Sequence, residues 1–270
     1  MEITSAQNPR IKNLLLLQEK SRARKEQGLF VVEGRRELSH ALSAGYTPRT
    51  LFLCPEILGA EVIPDLAPNL PESAIITVPA ALYRKIAFRE GTEGVIAEME
   101  CRSHTLADLP VPAHIEADGH APLVVVLEAV EKPGNLGAVL RSADAAGVDA
   151  VIICDPLTDL YNPNLIRSSI GAVFTVPVAV APTAEVIPWL KERGIRILTA
   201  QLQDSSLYYD SPMAGPTALV MGTESTGLTD PWRVAADAHI RIPMLGRLDS
   251  LNVSVSAAIL IYEALRQRRS

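Results

Sequence analysis

The chain has 270 residues, of which 48% are apolar and only 4% aromatic, and it carries a net charge of −6. That length suits two domains of ordinary size, and a core of aliphatic rather than aromatic side chains favours an α/β protein over a β-sandwich. The acidic balance argues against a protein that coats nucleic acid with its whole surface. No run approaches the roughly 20 apolar residues of a membrane span, and Leu14 to Leu17 is too short for a signal-peptide core.

Cys54, Cys101 and Cys154 are far apart and odd in number, so neither a disulfide framework nor a zinc site is expected, and a reducing cytoplasm fits. The five histidines show no metal-ligand spacing such as H-E-x-x-H, so no metal is expected.

Residues 1 to about 100 read as one unit. The spacing predicts a helix over Pro9 to Glu26, a strand over Leu29 to Val32 and a helix over Arg35 to Ser43 ending before Gly45. Further strands are expected at Thr50 to Leu53, Ala74 to Val78 and Gly94 to Ala97. The first 50 residues hold nine basic side chains against five acidic ones, a local excess in an acidic chain. Arg22, Arg24, Lys25, Arg35 and Arg36 are the candidate nucleic-acid contacts within it, set against the plainer reading of solvated helix faces.

Periodicity fails between 101 and 121, where Pro110, Pro112 and Gly119 interrupt it, and this stretch reads as a linker. From 122 to 270 strands and helices alternate. Leu123 to Leu127 is a continuous apolar run, the signature of a strand buried on both faces. A helix over Leu136 to Ala146 follows, then a strand at Ala150 to Cys154. Strands are expected at Phe174 to Val180, Ile195 to Ala200, Ala218 to Met221 and His239 to Ile242, with helices at Ala184 to Arg193 and Leu251 to Arg266. In that last helix Leu251, Val255, Ala258, Ile259, Tyr262 and Leu265 form one apolar stripe. Such alternation implies a mostly parallel sheet, and ligands of such sheets sit at the carboxyl ends of the strands.

Three segments after strands stand out. Glu131-Lys132-Pro133-Gly134-Asn135-Leu136-Gly137 leads into the helix carrying Arg141. Asn135 at that entrance is either a cap or a polar group beside free N–H donors, and Arg141 is expected to act at the same end. Met221-Gly222-Thr223-Glu224-Ser225-Thr226-Gly227 holds a carboxylate, Glu224, between two glycines. The glycine directly after the strand would let a ligand approach the backbone. This is no G-x-S-x-G nucleophile elbow, because Ser225 comes one residue late. Ile242-Pro243-Met244-Leu245-Gly246 runs on to Ser250-Leu251-Asn252-Val253-Ser254. Ser250 and Asn252 are both good helix caps, and two such groups exceed what one cap needs. Met244 and Leu251 would provide an apolar wall.

Together and in this order, the segments resemble the motifs of the SpoU (TrmH-like) branch of the SPOUT RNA methyltransferases: Pro133 to Arg141, Gly222 to Gly227, and Ile242 to Ser254. Asn164 to Ala172 is similar to the family's region between the first two motifs. Lys132 departs from the acidic residue many relatives carry there. Ser5 to Lys12 and Phe30 to Gly34 resemble the ribosomal-protein-like substrate-binding domain of the same family.

The resemblance implies a small N-terminal α/β RNA-binding domain ahead of a trefoil-knotted α/β domain working as a homodimer. It implies S-adenosylmethionine held at Gly222, Ile242, Pro243, Met244 and Leu251, and transfer of its methyl to a ribose 2'-hydroxyl, in ribosomal RNA, with transfer RNA as the alternative substrate. Arg141, Asn135, Glu224, Ser250 and Asn252 are the implied catalytic set. Arg141 is by resemblance the base, yet a guanidinium stays protonated in proteins. Stabilising developing charge at the RNA phosphate is the other role open to it. A non-catalytic RNA-binding protein would need the basic unit but not those five residues together. A nucleotide-dependent enzyme would need a P-loop or a dinucleotide fingerprint, and neither is present.

Overall fold

The structure is a computed structural model that describes residues 1–59, 70–88, 93–112, 120–223 and 226–269. The chain forms two compact units. One comprises Met1–Arg102 with Asp159–Thr175, and the other Ser103–Thr158 with Val176–Ser270.

The first unit is built on β1 (Leu29–Glu33), β2 (Pro48–Leu53), β3 (Ile75–Thr77) and β4 (Val95–Glu100), in the order β1-β4-β2-β3. β4 runs antiparallel to β1 and β2, while β2 and β3 are parallel. Helices Pro9–Glu19, Ser21–Gln27, Arg35–Ser43 and Ala80–Ile86 flank the sheet. The single helix expected over 9–26 is broken at Lys20, whose backbone is extended. The break turns Arg24 inward, where Nη1 donates to the carbonyls of Leu17 (2.5 Å) and Gln18 (3.2 Å) at the end of the preceding helix.

The second unit is built on β5 (Leu123–Glu128), β6 (Ala150–Cys154), β7 (Val178–Ala181), β8 (Arg196–Ala200), β9 (Ser206–Leu207), β10 (Thr217–Met221) and β11 (Ala238–Arg241). Their order is β7-β6-β5-β10-β8-β11-β9, and every pairing is parallel. The continuous apolar runs of β5, β6 and β10 are buried throughout, as strands covered on both faces must be.

Three expectations change. The stretch read as a linker contributes a turn at Leu106–Asp108, capped by Thr105, and buries Leu109 and Val111 in the second unit's core. The strand expected over 174–180 is instead a short helix, Ala172–Thr175, followed by β7, because Pro177 interrupts the run. Residues 159–175, counted from sequence with the second unit, pack into the first. Tyr161 stacks on Phe30 with ring centres 4.1 Å apart, Phe174 meets Tyr46 edge-on at 5.1 Å, and the Tyr161 hydroxyl accepts from Arg102 N.

The apolar stripe of the C-terminal helix also falls differently. Val253–Arg268 buries Val253, Ala257, Leu260, Ile261 and Ala264, whereas Val255 and Tyr262 of the expected stripe are about half exposed.

Within the first unit, Glu98 on β4 is buried and accepts from Asn13 Nδ2 at 3.5 Å. Burial raises its carboxyl above the ordinary 4.5, against the pull of hydrogen bonds from Thr50 and Asn13. The fold therefore favours the protonated form. This contribution to stability is full below pH 4.5 and is lost as pH rises through the folded-state value. Glu98→Gln is expected to melt higher than the parent at pH 8, with the gap closing toward pH 4. Parallel melting curves across that range would contradict it.

Candidate functional site

The carboxyl ends of β8, β10 and β11 surround a cavity of about 380 Å³. Such a volume lies within the range of small-molecule sites. Its floor is the loop after β10. Thr223 Oγ1 accepts from Thr226 N (3.0 Å), and Gly227 N donates to Thr223 O (3.1 Å), folding the loop back on itself. Gly222 is the tightest point. A Cβ built there would lie 2.3 Å from Gly227 O and 2.6 Å from Leu228 N.

Gly222, Ile242, Met244, Ser250 and Leu251 all line this cavity, so the second and third segments meet there. Pro243 lies outside it and lines a neighbouring surface hollow with Met244. Glu224 falls outside the described residues. A smaller hollow of about 130 Å³ shares Gly222, Thr223 and Val253 with the main cavity and is completed by Val130 and by Glu131, Lys132 and Asn135 of the first segment.

Asn252 joins the first and third segments. Its Oδ1 caps the C-terminal helix by accepting from Ser254 N (3.0 Å), and its Nδ2 donates to Asn135 Oδ1 (3.1 Å). The cap and the second polar role thus coexist on one side chain. Asn135 is not the cap of its own helix. That position is Lys132, and Asn135 sits in the first turn of Pro133–Ala146. Ser250 precedes the cap by two residues and donates to Asp249 Oδ1 at 3.2 Å.

Arg141 departs from expectation. It is exposed midway along Pro133–Ala146 and lines neither cavity. Six residues at 100° each carry it about 120° around the helix from Asn135 and roughly 9 Å along the axis. Arg24 is a correction among the basic candidates. It is buried and ion-paired to Asp159 at 2.5 Å, so it is unavailable to phosphate. Arg22, Lys25, Arg35 and Arg36 are exposed on the first unit. Arg22 and Arg36 are paired with Glu26 and Glu37.

Sequence reading missed Glu128, the buried last residue of β5. It accepts from Thr229 N (2.9 Å) and Thr229 Oγ1 (2.5 Å), anchoring the far end of the Gly222 loop to the strand beside it. The available signal was a carboxylate closing an otherwise apolar strand, a placement that demands a partner.

An all-parallel α/β sheet with a ligand-sized cavity at its carboxyl edge, assembled from three loops without a P-loop, defines the class of this second unit. The SpoU rRNA Methylase family matches residues 122–262, and the MRM3-like substrate binding domain matches residues 8–97. A 23S rRNA (uridine(2479)-2'-O)-methyltransferase of Streptomyces viridochromogenes is 31% identical over 254 residues, spanning 92% of this chain and 86% of that protein. A crystal structure of an RNA 2'-O ribose methyltransferase superposes with a TM-score of 0.83 at 39% identity, covering 100% of both chains. The AdoMet-bound rRNA methyltransferase of Sinorhizobium meliloti gives 0.87 at 30% identity, covering 98% of this chain and 97% of that one. The chain belongs to the SpoU rRNA Methylase family of RNA methyltransferases.

Among the described residues no helix is long and apolar enough to cross a membrane, and no group of three or more His, Cys, Asp or Glu is placed to hold a metal.

Proposed function

We propose that this protein methylates a ribose 2'-hydroxyl of ribosomal RNA, with S-adenosylmethionine bound in the cavity at the carboxyl ends of β8, β10 and β11. The observation that carries this reading is the convergence of Gly222, Ile242, Met244, Ser250 and Leu251 on that one cavity. Apolar walls from Leu228, Ile240 and Leu260 beside polar Gln201 and Ser256 suit a ligand with both an adenine ring and charged groups.

S-adenosylmethionine supplies an electrophilic methyl, so the protein's task is to position and deprotonate a weak hydroxyl nucleophile. The Asn252–Asn135 hydrogen bond fixes the first segment against the third. Glu128 holds the loop between them. Arg141 remains charged and serves the RNA phosphate and the charge developing at the 2'-oxygen. Arg22, Lys25, Arg35 and Arg36 contact phosphates, giving affinity and register rather than sequence choice. Exposed pairs such as Arg22–Glu26 hold weakly and exchange readily for a phosphate.

The working form we infer is a homodimer with a trefoil-knotted second unit. Support for the dimer is the second apolar face of the C-terminal helix, with Val255 46% and Tyr262 49% exposed. Arg141 lying outside its own chain's cavities suits a site completed by a second copy. Two buried thiols and a half-buried third, none in a disulfide, suit a reducing cytoplasm.

The test is incubation with methyl-labelled S-adenosylmethionine and separate pools of unmodified ribosomal and transfer RNA. Label is expected in ribosomal RNA, at one alkali-resistant dinucleotide. Arg141→Ala should cut transfer by about 10²-fold or more while cofactor binding survives. Label confined to transfer RNA would reassign the substrate. Cofactor binding lost in Arg141→Ala would contradict its role. No cofactor binding by the parent would favour a non-catalytic RNA-binding protein.

A further inference from the structure

Two side chains in the wall of the main cavity carry polar atoms that nothing among the described residues answers. Arg233 projects from the short helix Asp230–Ala235 and lines the cavity. Its Nε is buried without an acceptor, and no ion pair or side-chain hydrogen bond reaches its guanidinium among the described residues. Gln201 follows β8 and lines the same cavity. Its Nε2 is anchored on Gln203 O at 2.9 Å, which leaves Oε1 buried without a donor.

The other charged residues in the cavity wall differ. Arg241 Nη1 donates to Ser205 Oγ at 3.3 Å, and Asp249 accepts from Ser250. Orphaned groups of this kind are unfavourable in a folded chain and persist where a ligand completes them. Here one is a cation with donors to spare and the other a neutral acceptor. Together they complement a zwitterion, a carboxylate for the guanidinium and an ammonium for the amide oxygen.

We propose that Arg233 and Gln201 bind the amino-acid end of S-adenosylmethionine, Arg233 taking its carboxylate and Gln201 Oε1 its α-ammonium. The inference rests on the cofactor reading above and specifies which groups recognise the methionine moiety. It makes both residues determinants of cofactor selectivity. A bare adenosine fills the apolar part of the cavity without engaging them.

Calorimetric titration of the full chain tests this, using S-adenosylmethionine, S-adenosylhomocysteine and decarboxylated S-adenosylmethionine. Arg233→Met is expected to weaken the two carboxylate-bearing ligands roughly tenfold or more and to leave the decarboxylated ligand within about twofold. Arg233→Lys, which keeps the charge, should restore part of the loss. For Gln201→Leu, binding of 5'-methylthioadenosine, which has neither charged group, should be unchanged while all three other ligands weaken. An equal loss of carboxylate-bearing and decarboxylated ligands in Arg233→Met, at unchanged melting temperature, would overturn the assignment. If the parent bound none of these ligands, the cofactor reading would fail, and this inference with it.

Discussion

Asp159→Ala is expected to cost the first unit about 3–5 kcal/mol, read as an early transition in urea unfolding. The carboxylate is the counter-ion of Arg24, whose Nε lies 2.5 Å from Oδ2, with side chains only 3% and 13% exposed. Removing it leaves a buried guanidinium with two backbone carbonyls and no anion. The other oxygen accepts from Tyr161 N at 2.9 Å, so the loss also loosens the turn that presents Tyr161 to Phe30. The Arg22–Glu26 pair two residues away is the natural control. It is nearly as short, at 2.6 Å, but its side chains are 88% and 61% exposed, so Glu26→Ala should change little. Burial rather than distance separates the two cases. Pairing Arg24→Met with Asp159→Leu should regain much of the stability, since an apolar pair leaves no uncompensated charge. An Asp159→Ala midpoint no lower than that of Glu26→Ala would show that the ion pair does not hold the 159–175 segment in place. The same pair bears on truncation. Residues 1–102 expressed alone would lack Asp159, Tyr161 and Phe174 from their core.

The elements that sequence exposed most clearly are those whose environment is uniform. β5, β6 and β10 carry continuous apolar runs because both faces are covered, and that pattern is visible without a partner in view. The loops that line the main cavity were legible as well, because they bring special residue types to fixed offsets after strands. What escaped reading depends on which neighbour a side chain meets. Arg24 and Arg22 look alike on a helix, yet a break at Lys20 turns one inward. The C-terminal helix is apolar on two sides, and the one stripe that periodicity picked out, with Val255 and Tyr262, is not the one facing the core. Arg141 follows Asn135 closely in sequence, but helical geometry carries it away from the cavity. Glu128 lies one residue beyond the apolar run that sequence exposed, and its donors come from Thr229, 101 residues later.

Gly222→Ala should abolish cofactor binding, with affinity falling by about 10²-fold or more, while both units remain folded. The sequence suggested a glycine here so that a ligand could approach the backbone. The structure gives a different reason. The space a Cβ would take is filled by the loop's own return, with Gly227 O at 2.3 Å, Gly227 C at 2.4 Å and Leu228 N at 2.6 Å. These are backbone atoms and cannot swing aside as a side chain would, so the added methyl must push the turn open. Gly222, Thr223, Thr226, Gly227 and Leu228 all line the cavity, and Glu128 pins the loop just beyond, at Thr229. Displacement therefore passes into the cavity rather than into solvent. Gly134→Ala makes the contrast, because a Cβ at Gly134 meets nothing within 4 Å and the residue lies in a helix. That substitution should leave cofactor affinity unchanged and raise stability slightly, as alanine is the better helix former. Calorimetric titration of both variants separates the cases. Near-parental affinity in Gly222→Ala would mean that the loop yields outward, and that cofactor recognition rests on the walls formed by Ile242, Met244 and Leu251 instead.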